Sequence, residues 1–342
     1  MDNLSLTQPD RPETDAPGSV EAATSAPRVS VAVPVCDEKD VIPELVRRVS
    51  AVLDGLPGGP HELVLVDDGS VDGTTRLLEE AAVGDRRVVI VELSRNFGHQ
   101  MAVTAALDHA SGDVVVVMDG DLQDLPEAIP TLLAAHQEGY DVVYARRVGR
   151  KEGVVLRAAY ALFYRLVAAL SSIDLPVDAG DFSLLSRRVV EELKAMPERH
   201  RYVRGLRAWV GFRQKGIDVE RGARHAGRSK YTLGRLLRLA ADGLIAFSVA
   251  PLRLATLLGL GSLLVSSVYV AYALFARFFL QQSPRGFTAL IVAVVFLAGI
   301  QLVVLGVLGE YVGRVYEEIK RRPHYVVRRV LRATHRGFRP DL

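Results

Sequence analysis

Between Arg28 and Ala145 the chain alternates short, almost unbroken apolar runs with longer stretches of helical periodicity. The runs VSVAVPV (29–35), ELVLVD (62–67), RVVIVEL (87–93), DVVVVM (113–118) and DVVY (141–144) predict five strands. Apolar spacing near 38–54, 72–82, 99–110 and 126–138 predicts helices between and after them. Strands that are apolar on both faces and separated by helices form a mostly parallel sheet covered on both sides. In such sheets ligands bind beyond the carboxyl ends of the strands. Four of those ends carry polar clusters: PVCDE, DDGSVDGT, SRNFGHQ and DGDLQD. Their common placement predicts one α/β domain with one site along a single edge.

The second half of the chain changes character. Residues 150–175 show helical periodicity with spaced arginines, which fits either a core helix or one lying in a membrane interface. Residues 229–250 read as an amphipathic juxtamembrane helix, with Lys230, Arg235 and Arg238 placed to meet anionic headgroups. Two uncharged stretches follow, 254–276 and 286–309, each longer than the roughly 20 residues needed to cross a bilayer. The linker RFFLQQSPRG is short, so the expected spans form a hairpin with both flanks on one side. Lys320 to Arg339 holds eight Lys or Arg, against Arg277 and Arg285 at the turn. That bias is expected to place the α/β domain and both termini in the cytoplasm, under a plasma membrane crossed twice. The basic tail, residues 313–342, either also holds anionic lipid or acts only as the topology signal.

Composition narrows the picture further. The chain has 342 residues, room for two or three domain-sized pieces, and 49% are hydrophobic, with the excess near the C-terminus. With 42 basic against 40 acidic residues, no global basic field argues for nucleic acid. The single cysteine, Cys36, excludes an internal disulfide and reads as a small packed thiol after the first strand. The first 27 residues, rich in Pro, Thr, Ser, Ala and Asp, are expected to form a disordered tail without a signal-peptide core.

Candidate chemistry centres on GDVVVVMDGDLQDLP (112–126), where an apolar strand runs into Asp119, Asp121 and Asp124. Two carboxylates about 4 Å apart repel by roughly 4 kcal/mol at an effective dielectric near 20. One would be driven toward its protonated form unless a cation sits between them. A hard divalent ion such as Mg²⁺ takes one or two carboxylates and completes its shell with water and substrate phosphates. Asp119 and Asp121 can reach the same side if the chain bends at Gly120. Asp124 equally fits a helix start, where an acid caps free N–H groups. His99, at the start of a helix, is expected to bond backbone, with a catalytic role as the alternative. No G-x-G-x-x-G follows the first strand. GARHAGRS (222–229) has P-loop spacing, but Arg228 replaces the lysine and no Val-rich strand precedes it. No Ser/His/Asp pattern and no clustered Cys/His set is present.

Seven segments appear in order: VSVAVPVCDE, LVLVDDGSVDGT, LSRNFGHQMAV, VVVMDGDLQDLP, DAGDFSLLSRR, RYVRGLRAWVGFRQ and RHAGRSKY. Together with the C-terminal hairpin they resemble a family 2 glycosyltransferase of GT-A fold, over roughly residues 28–320. Within that family they are most similar to bacterial polyprenyl-phosphate glycosyltransferases of the GtrB type, relatives of dolichyl-phosphate mannose synthases. The resemblance implies a GT-A catalytic domain over 28–228, followed by the juxtamembrane helix and the spans within 251–312. It implies that Asp119 and Asp121 hold Mg²⁺ or Mn²⁺ on the donor diphosphate, with Gln123 as a companion contact. Pro34, Glu38, Asp67 and Asp68 match positions that grip the base and ribose. Asp181 matches an acid near the acceptor, and Arg224, Ser229 and Lys230 match a basic group that meets phosphates. Arg201 and Arg204 are further candidates for the acceptor phosphate. Asn is common in the family at Asp37 and Ala at Gly120, so Asp37 is expected to add charge near the donor pocket and Gly120 to loosen the metal turn.

The expected reaction moves a hexose from a nucleotide sugar to a polyprenyl phosphate with inversion. UDP-glucose is the first choice of donor, followed by GDP-mannose and other UDP-sugars. An acceptor phosphate with a second pKa near 6 is already mostly unprotonated at neutral pH. Asp181 is therefore expected to orient substrate more than to remove a proton. A processive polysaccharide synthase fits poorly, because two spans make a poor conduit and the QxxRW run of such synthases is absent. A non-catalytic nucleotide-sugar-binding subunit is the other alternative, and the intact Asp119, Asp121 and Asp181 weigh against it. Association into homo-oligomers through the hairpins is compatible with this layout.

Overall fold

The computed structural model describes residues 26–147, 179–199, 201–219, 250–279, 286–332 and 339–341. Residues 1–25 of the expected disordered start (1–27), the whole of the helical segment 150–175, and residues 229–249 of the expected juxtamembrane helix (229–250) lie outside the described residues.

Five strands fall where the apolar runs predict them: β1 (Val29–Val35), β2 (Glu62–Asp67), β3 (Val88–Leu93), β4 (Val114–Val117) and β5 (Val142–Arg147). Four more complete the sheet: β6 (Ala179–Ser186), β7 (Gln214–Val219), β8 (Val327–Arg332) and β9 (Arg339–Asp341). Among the described residues they lie in one sheet in the order β7-β5-β6-β4-β1-β2-β3-β8-β9. β4, β1, β2 and β3 are parallel, while β6 runs antiparallel to both β4 and β5. The chain moves from β1 outward to β3 and then returns to the other side of β1 with β4. That reversal opens a crevice between the carboxyl ends of β1 and β4, where open α/β sheets bind ligands.

Alternation along each strand divides the core in two. Val31, Val33, Leu63, Leu65, Val114 and Val116 face one layer, while Ala32, Val64, Val66, Val115 and Val117 face the other. The first layer is covered by α1 (Ile42–Gly55), α2 (Thr74–Gly84) and α4 (Ile129–Gln137). The second is covered by α3 (His99–His109), α5 (Arg187–Ala195) and α6 (Val203–Trp209). Helix α1 shows the mechanism: Ile42, Leu45, Val49 and Leu53 recur on one face, and all four are buried.

Two long helices follow, α7 (Ala250–Phe279) and α8 (Phe287–Ile319). Both are long and apolar enough to cross a membrane, and neither is covered by the rest of the protein. Leu263, Val265, Phe278, Phe296 and Leu302 stand more than 60% exposed on them. Helix α8 has 33 residues, about 50 Å at 1.5 Å per residue. That is longer than a hydrocarbon layer of roughly 30 Å is thick.

The basic segment expected as a free tail is partly a strand. β8 pairs antiparallel with the outer edge of β3, and the Ser94 amide donates to the Val326 carbonyl at 2.8 Å. The reason is charge. Glu92 on β3 is nearly buried and accepts from both Arg328 and Arg329, and Arg329 also reaches Glu79 on α2. Tyr325 donates to Asp108 at 2.6 Å, and burial together with that carboxylate pushes its hydroxyl pKa up. These arginines are occupied by protein carboxylates.

Replacing Glu92 with Gln should loosen β8 before the rest of the sheet. Hydrogen bonds to charged groups contribute on the order of 1.5–3 kcal/mol. Amide hydrogen exchange over 327–331 should therefore accelerate about tenfold or more while the β1 and β2 amides stay protected. Unchanged exchange would show that main-chain pairing alone holds the strand.

Candidate functional site

The loops after β1, β2 and β3 are held to one another by buried acids. Asp67 ends β2; its Oδ1 accepts the Ser70 amide at 2.9 Å and its Oδ2 the Thr75 hydroxyl at 2.5 Å. Asp68 accepts the amides of Phe97 and Gly98 at 2.7 and 2.9 Å, which fixes the loop leading into α3. Burial raises the Asp68 pKa, and those two amides oppose the rise. Gly69, at φ +71°, lies so close to that loop that a Cβ would fall 2.6 Å from Arg95 C and Asn96 N. Asp67 and Asp68, expected at the base and ribose, fasten the loops after β2 and before α3.

Asp37 occupies the left-handed region at φ 54°, which Asn and Asp tolerate better than other side chains. Its amide donates to Ser70 Oγ, and its Oδ1 accepts the Val71 amide at 2.8 Å. Asp37 is a turn residue tying the first loop to the second. The Glu38 amide donates to Thr74 Oγ1 at 3.0 Å. Pro34 lies buried within β1 opposite Val66, one residue before the strand ends.

After β4 the chain turns sharply through the acidic cluster. Gly120 is required for close approach, since a Cβ there would come within 2.9 Å of Val35 Cγ1. The left-handed residue of the turn is Leu122, at φ 56°, whose buried side chain anchors it in the core. Gly120 therefore fits the turn against β1, a tighter role than the loosening expected of it. Asp121 Oδ1 accepts the Gln123 amide at 3.1 Å, and Gln123 is buried. The short 3₁₀ turn Pro126–Ala128 has Leu125 at its N-cap position, so Asp124 stands one residue ahead of it.

Asp119 faces two partners brought from other strand ends. His99 Nε2, at the start of α3, lies 3.6 Å from Asp119 Oδ1. Ligand atoms of His99, Asp119 and Asp181 all fall within 4.8 Å of one another, an arrangement able to hold a metal ion. His99 thus turns toward the acids and not only toward its helix. Its position, first on a helix after a parallel strand, was the available signal.

Asp181, near the start of β6, meets Arg204 of α6 in a two-bond fork, Nε to Oδ1 at 3.1 Å and Nη2 to Oδ2 at 2.7 Å. Burial alone would raise the Asp181 pKa. The Arg204 charge and hydrogen bonds, aided by His99 and Arg207, outweigh burial and leave it below the ordinary carboxylate value. Its stabilising effect is fully present above the unfolded pKa and is lost as pH falls through the lowered folded one. At neutral pH Asp181 is an anion and a weak base. Gln100 on α3 accepts the Val203 amide at 2.8 Å, locking the start of α6 beside His99.

Arg207, one helical turn after Arg204, is absent from the sequence expectations. It is 2% exposed, and burial draws its pKa down to about 10. Arg201 is corrected as an acceptor-phosphate candidate. It is buried and donates to the Leu193 and Met196 carbonyls at 2.6 Å each, satisfying the end of α5. Arg224, Ser229 and Lys230 lie outside the described residues.

The description "Glycosyl transferase family 2" matches residues 30–194, and "GtrB C-terminal hairpin" matches residues 250–315. An uncharacterized glycosyltransferase of Bacillus subtilis, YkcC, is 42% identical over 88% of this chain and 93% of its own. The bactoprenol glucosyl transferase of Shigella phage SfII is 39% identical over 91% of this chain and 99% of its own. A prophage bactoprenol glucosyl transferase homolog of Escherichia coli K12 is 39% identical over 89% and 99%. The crevice at the β1/β4 reversal, its acids and the apolar hairpin all fall inside these matches, and the chain belongs to glycosyl transferase family 2 as a glycosyltransferase with a GtrB-type C-terminal hairpin.

Proposed function

We propose that this glycosyltransferase moves glucose from UDP-glucose onto a polyprenyl phosphate, with inversion, at the cytoplasmic face of the plasma membrane. The carrying observation is the meeting of His99, Asp119 and Asp181 at the crevice, in a chain whose next elements are two bare apolar helices. Relatives named bactoprenol glucosyl transferase support the lipid acceptor and the sugar.

The donor set fits a divalent cation. One imidazole nitrogen and two carboxylates within 4.8 Å offer enough charge for Mn²⁺ or Mg²⁺. Asp119 would hold the ion with Asp121 and Gln123, and His99 and Asp181 are within reach of the same place. Such an ion, when bound, neutralises the donor diphosphate and stabilises it as leaving group. The loops held by Asp67 and Asp68 form the walls for base and ribose, with Pro34 and Glu38 beside them. Asp181, kept ionised by Arg204, orients the sugar or the acceptor. The acceptor oxygen attacks the anomeric carbon, the bond to the diphosphate breaks, and a nucleoside diphosphate departs. Arg224, Ser229 and Lys230 contribute positive charge and a hydroxyl to the phosphates as the site closes. Arg204 is the described cation next to the acceptor side. Basic residues of the juxtamembrane segment and the tail hold anionic lipid, and the hairpins offer a surface for self-association.

The direct test incubates purified protein in detergent with labelled nucleotide sugars and a short polyprenyl phosphate. Label should enter the organic phase from UDP-glucose in preference to GDP-mannose, and chelation should stop it until Mn²⁺ or Mg²⁺ is restored. Transfer undiminished by chelation, or no prenyl product from any donor, would refute the proposal. Asp119→Asn and Asp121→Asn should each cost roughly 10²–10³-fold in kcat, the scale seen when one electrostatic group is removed. Asp181→Asn should retain about tenfold more activity than either, since it orients and does not abstract a proton. Equal losses in all three would argue for a base.

A further inference from the structure

Arg207 is a buried cation whose hydrogen bonds do not account for its charge. Both terminal nitrogens reach a single acceptor, the Gly180 carbonyl, at 3.3 Å each. Its Nε has no hydrogen-bond partner, and its guanidinium lies over the Tyr144 ring at 5.3 Å. Two long bonds to one neutral oxygen do not offset the several kcal/mol of desolvation that a buried ion carries. The largest opposing charge acting on it is the Asp181 carboxylate, one residue beyond that carbonyl.

Asp181 therefore answers to two guanidinium groups of unequal freedom, Arg204 by direct contact and Arg207 through the neighbouring Gly180 carbonyl. Arg204 takes both carboxylate oxygens and keeps 23% of its side chain exposed. Arg207 sits one turn deeper on the same helix face and has no route to solvent. Gln100, Ser183, Asp181 and the two arginines line a small cavity behind the carboxylate. One partner can leave; the other cannot.

We propose that Arg207 is a positioning residue for glycosyl transfer, holding the Asp181 carboxylate toward His99 and Asp119 so that Arg204 can exchange Asp181 for the acceptor phosphate. The inference rests on the reaction proposed above. It adds a division of labour: Arg207 is the fixed partner of Asp181 and Arg204 the exchangeable one. Without Arg207, the Gly180–Asp181 backbone loses its anchor and Asp181 depends on Arg204 alone.

A double-mutant cycle tests this, because a residue acting through another loses its effect once that other is gone. Misplacement of a reacting group by about 1 Å can cost 10²-fold. Arg207→Gln should lower kcat for prenyl-linked product roughly 10- to 100-fold, leaving KM for the nucleotide sugar within about threefold. In an Asp181→Asn background the same substitution should change kcat less than about threefold. Mn²⁺ binding, followed by loss of the free-ion signal in electron paramagnetic resonance, gives the same cycle without turnover. Arg207→Gln should shift Mn²⁺ affinity when Asp181 is present and leave it within about twofold when it is not. Arg207→Lys keeps the charge but not the fork. It should recover most of kcat, whereas Arg207→Met, which removes the charge but keeps an apolar stem in the buried site, replaces the glutamine variant in both cycles if that variant does not fold. Equal effects in the two backgrounds would reduce Arg207 to a purely structural residue and overturn the inference. Failure of the unmutated protein to glycosylate any prenyl phosphate would instead overturn the reaction itself.

Discussion

Repulsion among carboxylates at the end of the sheet is the constraint around which this site is built. Asp119 and Asp181 belong to different strands, yet their oxygens come within 4.8 Å of each other and of His99. At that distance two full charges oppose each other by on the order of 3 kcal/mol at an effective dielectric near 20. Such crowding persists only where positive charge is matched to it. On one side the protein supplies Arg204 and Arg207; on the other, His99, Asp119 and Asp181 form a group able to hold a metal ion. The lowered pKa of Asp181 shows which side wins at that residue, since burial alone would have raised it.

The sheet order makes this crowding possible. The β1/β4 reversal sets the acidic turn beside β1, close enough that Gly120 cannot carry a side chain without meeting Val35. Antiparallel β6 then enters next to β4 with its N-terminal end at the carboxyl end of its neighbour. Asp181 therefore starts a strand where Asp119 follows one. An all-parallel order would have put the start of that neighbouring strand, and any acid on it, at the far edge.

What the sequence revealed and what it concealed follow the same physics. Continuous Val runs and 3.6-residue periodicity are local, so β1 to β5 and α1 to α4 appear within a few residues of where the pattern predicts them. The acids after β4 were legible because clustered charge beside a buried strand is unusual in itself. His99 was legible only as a helix-start histidine and Arg207 not at all, because each acquires its meaning from a partner far along the chain. Gln100 receives a bond from Val203, more than a hundred residues away, and no local signal encodes that contact. Arg201 misled for the converse reason: an arginine in a basic motif looks available, yet this one is consumed by the carbonyls ending α5.

The same reasoning explains why the chain returns to the sheet after its apolar hairpin. Helix α8 is longer than a hydrocarbon layer is thick, and from Glu310 to Ile319 it extends about 15 Å past the uncharged stretch. Left there, the catalytic domain would hang from the hairpin by a flexible connection. Instead Glu318 accepts the Arg199 amide just ahead of α6, Tyr325 bonds Asp108 at the end of α3, and β8 zips onto β3. α3 begins with His99, α6 carries Arg204 and Arg207, and β3 leads into the loop fastened by Asp68. The elements that carry His99, Arg204 and Arg207, and the strand leading into the loop fastened by Asp68, are thus tied within one or two contacts to the end of α8. A crevice hung on a free connection would stand at no fixed distance from the two exposed apolar helices, and these contacts fix that distance.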